Sequence, residues 1–328
     1  MELRTTFNIP PSAHMITYDD PVMFIGSCFA GSIGSKLEAG RMPVMINPSG
    51  TVYNPVSVIN TLNSVIEARE YMEKDLYNHN GTWLSFDHYT DFSSGNKQEV
   101  LERINKKTTE AFKFLSKAQF LFITFGTARV FRHVESGRIV SNCHKIPAAE
   151  FKRELLTVDD IADIWKSQLD MLRTFNPGLK VVFTISPVRH WKDGPYGNQV
   201  SKSTLFLAVE RLLEHPSLPQ YFPAYELVMD DLRDYRFYDG DMLHLSDAAI
   251  DYIWNAFMRC YFNNTTIDTW REAEKIIRAI SHRIRSGEAT NIRSFAETML
   301  KKIDVLCSRR PALDLSAERS YFEKLAHS

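Results

Sequence analysis

The chain has 328 residues, 44% hydrophobic and 24% charged, with 39 Lys and Arg against 40 Asp and Glu. That length and apolar content suit one large domain with an appendage, or two domains. A formal net charge of −1 gives no electrostatic case for nucleic acid or an anionic membrane as partner. No apolar stretch reaches membrane-spanning length, and Met1-Glu2-Leu3-Arg4-Thr5-Thr6 lacks the features of a signal peptide, so the cytoplasm is the expected compartment. Four scattered cysteines, at 28, 143, 260 and 307, form no metal-ligand spacing and read as reduced thiols.

In chain order, Val22–Ile25 is a short apolar run of the kind found in covered parallel strands. A helical pattern follows from Cys28 to Ala39, then a second apolar run at 42–46. Pro55 suits the first turn of a helix over Val56–Arg69. Residues 71–96 are polar but carry Trp83, Phe86, Tyr89 and Phe92. Such a connection is either a functional loop, with 77–92 as a lid, or a segment packed on its own aromatics. A helix over 97–116 leads to a strand at 119–124. Strands 130–134 and 138–142 flank Glu135-Ser136-Gly137 as a hairpin.

Val158–Phe175 reads as helix, Lys180–Ile185 as strand, Ser203–Glu214 as helix, Glu226–Met229 as a short strand and Asp247–Phe262 as helix. Five strands separated by helices imply a three-layer α/β/α sandwich around a mostly parallel sheet, SGNH hydrolase- or flavodoxin-like in arrangement. Past 264 the strand signals stop. Helices over 270–285, 292–307 and 317–326 form a C-terminal extension, giving domains of 1–265 and 266–328.

Two stretches carry chemistry. Gly26 allows a sharp turn without a Cβ penalty. It places Ser27 at the start of a helix, where N–H groups and the dipole stabilise negative charge. An ordinary capping serine satisfies the same pattern. Far downstream, Asp241 and His244 stand three apart in the polar loop Asp239-Gly240-Asp241-Met242-Leu243-His244. A carboxylate can there hold one imidazole nitrogen while the other faces outward, as a hydroxyl nucleophile requires; a solvated loop histidine is the bland alternative.

Those residues carry a resemblance. Gly26-Ser27-Cys28-Phe29-Ala30 and Asp241-x-x-His244, with Asn47 to Pro55, Phe125-Gly126-Thr127-Ala128, Asn142-Cys143-His144-Lys145 and Ser186-Pro187-Val188-Arg189-His190, make the chain resemble the GSCFA family. That family is named for the pentapeptide and is similar to the SGNH/GDSL hydrolases. The resemblance covers roughly residues 20–265. It implies Ser27 as nucleophile, His244 as base and then acid, and Asp241 as orienting carboxylate, with no metal and no organic cofactor. The backbone N–H groups of Ser27 and Gly50 are the expected oxyanion donors. SGNH enzymes carry Gly-x-Asn-Asp where this chain has Gly126-Thr127-Ala128-Arg129, so the third donor passes to Thr127 or, by preference, to Asn142.

In a doubly wound sheet ligands bind beyond the carboxyl ends of strands, where Gly26-Ser27, Gly50, Gly126-Thr127 and 186–190 are all expected. His144 and His190 are alternative bases or substrate contacts. Arg189 binds a substrate carboxylate or phosphate, or pairs with Asp193. Cys28 offers a rival thiol nucleophile. Tyr221, Phe222, Tyr225, Tyr235, Phe237 and Tyr238, interspersed with charge, suit sugar rings or core packing. The resulting expectation is a serine esterase or acyltransferase acting on a small-molecule or glycan ester. A ligand-binding protein that keeps the fold without turnover is the alternative.

Overall fold

A computed structural model describes residues 5–281 and 289–327. The described residues fall into two compact units, one gathering Pro21–Gly34 with Met45–Ile253 and the other Asn8–Asp20, Ser35–Val44 and the chain from Trp254 onward.

The first unit is built on the strands β1 (Val22–Gly26), β2 (Val44–Ile46), β5 (Phe120–Phe125), β9 (Lys180–Ile185) and β10 (Gln220–Tyr221). They lie in the order β10-β9-β5-β1-β2. β1 pairs with β5, β5 with β9 and β9 with β10, all parallel. Register places Met23 beside Leu121 and Leu121 beside Val181, and likewise Ile25, Ile123 and Phe183. Side chains alternate between faces along a strand, so one face presents these residues and the other presents Phe24, Phe120 and Phe122. The first face is covered by α2 (Pro55–Ile66), α3 (Lys97–Leu115), α4 (Val158–Phe175) and α5 (Gly194–Leu213). Their Leu62, Leu115, Trp165 and Leu205 share one buried core with it. On the second face Phe24 and Phe122 stack at 4.8 Å. Gly34 of α1 (Cys28–Ala39) sits close against Phe24 and Ile46. The result is the expected three-layer α/β/α architecture.

Two smaller sheets decorate it. The hairpin β3 (Tyr77–His79) and β4 (Thr82–Leu84) lies within the 71–96 connection. That connection packs on itself: Trp83 and Phe92 join Tyr71, Val100, Leu101 and Ile104 in a separate cluster. His88 is buried between the rings of Tyr71 and Phe92, with Nδ1 on the Ser85 hydroxyl. β6 (Arg129–His133) pairs with β7 (Ile139–Val140) as expected, and also with β8 (Phe151–Leu155), which sequence reading missed. Phe151, Arg153 and Leu155 alternate with charged residues, and no turn signal isolates them as a strand.

The fifth strand is a correction. Glu226–Met229 is not extended: α6 (Ala224–Glu226) runs into a π-helical turn over Leu227–Leu232, with Arg233 N–H on the Val228 carbonyl. Leu227 with Asp231 and Val228 with Leu232 are buried, a helical spacing that a four-residue apolar window conceals. β10 precedes it and is ended by Pro223. The helix expected to begin at Ser203 begins at Gly194 instead. Gly194, Pro195 and Gly197 read as breakers, although Pro suits a first turn.

In the second unit α7 (Asp247–Tyr261) supplies Trp254, Phe257 and Tyr261, followed by α8 (Asn264–Ser281), α9 (Ala289–Arg309) and α10 (Ser316–Ala326). The end expected for a helix at Arg285 lies outside the described residues. Trp254 stacks on Phe257 and packs at 5.2 Å on Trp270, whose Nε1 donates to the Lys36 carbonyl. Glu318, 1% exposed, meets Arg41 in an ion pair. No described helix is long and apolar enough to cross a membrane.

Gly26 ends β1 at φ +146, and a Cβ there would lie 2.2 Å from the Thr124 carbonyl oxygen on the neighbouring strand. Neither the conformation nor the rigid neighbour accommodates a side chain. We expect Gly26→Ala to lower stability in urea unfolding by about 1–3 kcal/mol or more; a change under ~0.5 kcal/mol would contradict this account of the turn.

Candidate active site

Ser27 follows Gly26 and immediately precedes α1, as the turn chemistry predicts. It is 1% exposed, and its Oγ has no hydrogen-bond partner. A capping serine accepts from an N–H of the first turn; Ser27 does not, since Ala30 N–H goes to the Ser27 carbonyl instead. The hydroxyl lines a cavity of about 640 Å³ beyond the carboxyl ends of β1, β5 and β9. His244, on the loop before α7, lines the same cavity.

Asp241 and His244 form the expected pair. His244 Nδ1 lies 2.5 Å from Asp241 Oδ2, and Asp241 Oδ1 accepts from the backbone N–H of Leu243 at 2.8 Å and of His244 at 2.9 Å. The His244 side-chain bond, reinforced by those N–H groups, pulls the Asp241 carboxyl down to about 2. An ionised carboxylate on Nδ1 fixes the tautomer that leaves Nε2 able to accept a proton. The third link is not made: Ser27 Oγ bonds neither to His244 nor to any other group. Both members of the pair are open to solvent, His244 by 55% of its side chain and Asp241 by 48%.

The expected oxyanion donors require correction. Ser27 N–H donates to the Thr124 carbonyl at 3.3 Å and Gly50 N–H to the Asn47 carbonyl at 2.8 Å. Gly50 does not line the cavity; it packs on Tyr89, where a Cβ would lie 2.2 Å from that residue's own Cβ. Both amides follow strands whose ends are tied to neighbouring backbone, so the turns consume them. Gly126 N–H and Thr127 N–H both go to the Tyr53 carbonyl. The Thr127 hydroxyl is 2.9 Å from the Ser201 hydroxyl and accepts from Arg129 N–H. Asn142 does line the cavity; its Nδ2 donates weakly to Thr90 Oγ1 at 3.3 Å, and its Oδ1 accepts from His144 N–H. Asn54, which sequence reading placed only in a motif, lines it too; its Oδ1 caps α2 at Ser57 N–H, and its Nδ2 donates one hydrogen to Ser57 Oγ at 2.9 Å, which leaves one N–H.

The remaining candidates divide. His190 lines the cavity, its ring edge-on to Tyr53 at 5.5 Å. Its Nε2 sits against bare Gly126, where a Cβ would lie 3.1 Å from it and 3.5 Å from Ser27 Cβ. Burial, helped by Lys202 and Arg153, lowers its pKa to about 4, so it is neutral near pH 7. His144 donates Nε2–H to the Ser85 carbonyl at 2.8 Å, and burial lowers its pKa; it serves the loop that holds it. Arg189 does not pair with Asp193, which Arg129 and Arg153 occupy. Cys28 lines the cavity beside Ser27, and burial raises its thiol pKa against smaller downward pulls from the Phe29 and Cys28 N–H groups and Lys202. Among the described residues no group of three His, Cys, Asp or Glu is arranged to hold a metal ion.

An adjoining cavity of about 680 Å³ shares Arg189, Trp191 and Leu243 with the first and adds Asp234, Asp241, Tyr235 and Tyr238. Of the aromatic run, then, these two tyrosines face a cavity. Phe222 is buried, and the Tyr221 hydroxyl donates to Glu226.

Sequence reading missed Lys202. It is 1% exposed, and its Nζ donates to the carbonyls of Gly126 at 2.7 Å and Ser186 at 2.5 Å, clamping the ends of β5 and β9 together. Position 202 stands at helical spacing from Asn198, Leu205 and Val209, which are buried with it. Burial, with Arg189 adding to it and Cys28 opposing, lowers its pKa from 10.5 to about 7. An unfolded chain keeps that proton to about pH 10.4, so it binds more protons than the folded chain between about pH 7 and 10. Stability contributed by this group therefore rises with pH across that window. Wild type is expected to gain stability relative to Lys202→Met as pH goes from 7 to 10, measured by urea unfolding at each pH; a constant difference would contradict the buried, proton-poor lysine.

The model of the GSCFA family matches residues 21–257, and that of the GSCFA domain protein C-terminal domain matches 273–328. No curated protein matches the chain. Among solved structures it is similar to the crystal structure of a carbohydrate esterase family 3 from Talaromyces cellulolyticus, at 8% identity and a TM-score of 0.35, over 77% of this chain and 99% of that one.

Proposed function

We propose that this chain, which belongs to the GSCFA family, is a serine-dependent esterase or acyltransferase acting on acyl esters. The observation that carries the reading is a buried, unbonded Ser27 hydroxyl on the same cavity as a His244 imidazole whose tautomer Asp241 fixes. Ser27 Oγ attacks the ester carbonyl carbon as its proton passes to His244 Nε2. The imidazolium is stabilised by Asp241. Collapse of the tetrahedral adduct breaks the bond to the alcohol, which leaves with the proton from His244. Water or a second alcohol then repeats the sequence on the acyl-serine, and Ser27 is restored. The side-chain amides of Asn142 and Asn54 are the donors we assign to the developing oxyanion, each worth on the order of 3 kcal/mol at the transition state.

Carbohydrate esters are the substrate class we favour. Trp191 and Tyr235, both largely exposed, stand with Tyr238 on the adjoining cavity, and aromatic faces beside charged groups suit sugar rings.

A binding protein without turnover is the second reading, favoured by the unmade bond between Ser27 and His244. Release of acetate from aryl acetates and acetylated sugars separates the two. Ser27→Ala and His244→Ala are each expected to cut kcat by about 10³-fold or more, while Cys28→Ser retains activity within about tenfold. Equal release by wild type and Ser27→Ala would overturn the serine mechanism, and loss confined to Cys28→Ser would transfer the nucleophile to the thiol.

A further inference from the structure

The cavity that holds Ser27 and His244 is lined by five cationic side chains, Arg129, Lys145, Arg153, Arg189 and Lys192, and, among the described residues, by no Asp or Glu; the carboxylates near Arg189, Asp234 and Asp241, line the adjoining cavity. The chain as a whole carries a net charge of −1, so the excess is local. Behind the wall one carboxylate, Asp193, with 1% of its side chain exposed, pairs with both Arg129 and Arg153. Arg189 has no carboxylate partner among the described residues: its Nε is buried and makes no hydrogen bond, and its guanidinium meets the Tyr225 hydroxyl, with Tyr238 nearby. Lys145 and Lys192 are exposed, and neither has an ion pair among the described residues. Lys202 lies beneath, its proton already weakened by burial and by Arg189.

Crowding cations around a partly desolvated cavity costs free energy unless an anion enters. A guanidinium with unused donors matches the oxygens of a carboxylate or phosphate in a planar fork. Exposed lysines on the same wall raise the local concentration of such a ligand.

We propose that this cavity recognises substrates bearing a carboxylate or phosphate, with Arg189 holding the anionic group and Lys145 and Lys192 drawing it in. The proposal names the substrate class for the esterase reading and rests on that reading for turnover alone, since binding is measured separately. Calorimetric titration at low salt compares glucose 6-phosphate, glucuronate, glucose and inorganic phosphate on the full chain. At least one charged sugar is expected to bind tenfold or more tightly than glucose. Arg189→Gln should erase that advantage, and the double variant Lys145→Gln/Lys192→Gln, altered only at exposed positions, should reduce it several-fold and flatten its salt dependence.

Equal binding of charged and neutral sugars, or an advantage that survives both variants, would overturn the proposal. So would inorganic phosphate binding as tightly as glucose 6-phosphate, because the cavity would then take a free anion rather than an anion-bearing substrate. Anion preference retained in Ser27→Ala, in a protein whose wild type releases no acyl group, would sink the esterase reading and leave the anion site standing. Acyl release without anion preference would do the reverse.

Discussion

The end of strand β1 is fastened on every side, and the placement of the candidate nucleophile depends on that fastening. Gly26 donates its N–H to Asn47 Oδ1 and accepts from Val52 N–H, while its bare Cα lies against the Thr124 carbonyl. Backbone segments from three parts of the first unit meet there at distances that only a residue without Cβ allows. Ser27 therefore leaves the sheet at a fixed angle, and its hydroxyl is held out of the first turn of α1, where a serine would otherwise spend it on capping. Lys202 performs the matching task at the two neighbouring strands, tying the carbonyls of Gly126 and Ser186. The floor of the cavity is thus set by backbone groups and one lysine, independently of any loop above it.

The upper wall is made differently. His244 and Asp241 sit on an exposed turn whose internal hydrogen bonds fix their relation to one another, and not to Ser27. A buried candidate nucleophile and a preformed but more exposed Asp241–His244 pair would suit a site whose last contact forms with substrate. Apo sites often hold such bonds long or unmade until the Michaelis complex tightens them. The five cations on this cavity fit the same picture, because an entering anion would relieve their mutual repulsion as it brings the reacting ester to Ser27.

Much of this was legible from local pattern. The buried runs of β1, β5 and β9 stand out as continuous apolar segments bounded by glycine or proline, and the Gly26-Ser27 corner is announced by its position between a strand and a helix. The Asp241–His244 pair followed from a spacing of three on a turn. Contacts set by other parts of the chain were harder to see. The Ser27 and Gly50 amides looked available because neither sequence neighbourhood reveals that Thr124 and Asn47 accept from them. Pairing with Asp193 was one of two alternatives left open for Arg189, whereas Arg129 on β6 and Arg153 on β8 are the residues that reach that carboxylate. Lys202 was hidden by the glycines and proline that begin its helix. The segment 226–229 failed for a related reason, since a π-helical turn and a short buried strand share the same apolar quartet.

One structure tests the central claim most directly: that of the protein reacted with a small fluorophosphonate. The account predicts phosphorus bonded to Ser27 Oγ, His244 Nε2 drawn to within hydrogen-bonding distance of the adduct, and Asp241 still on Nδ1. Phosphorus on Cys28, or on Ser27 with no hydrogen bond between the imidazole and the adduct, would contradict it.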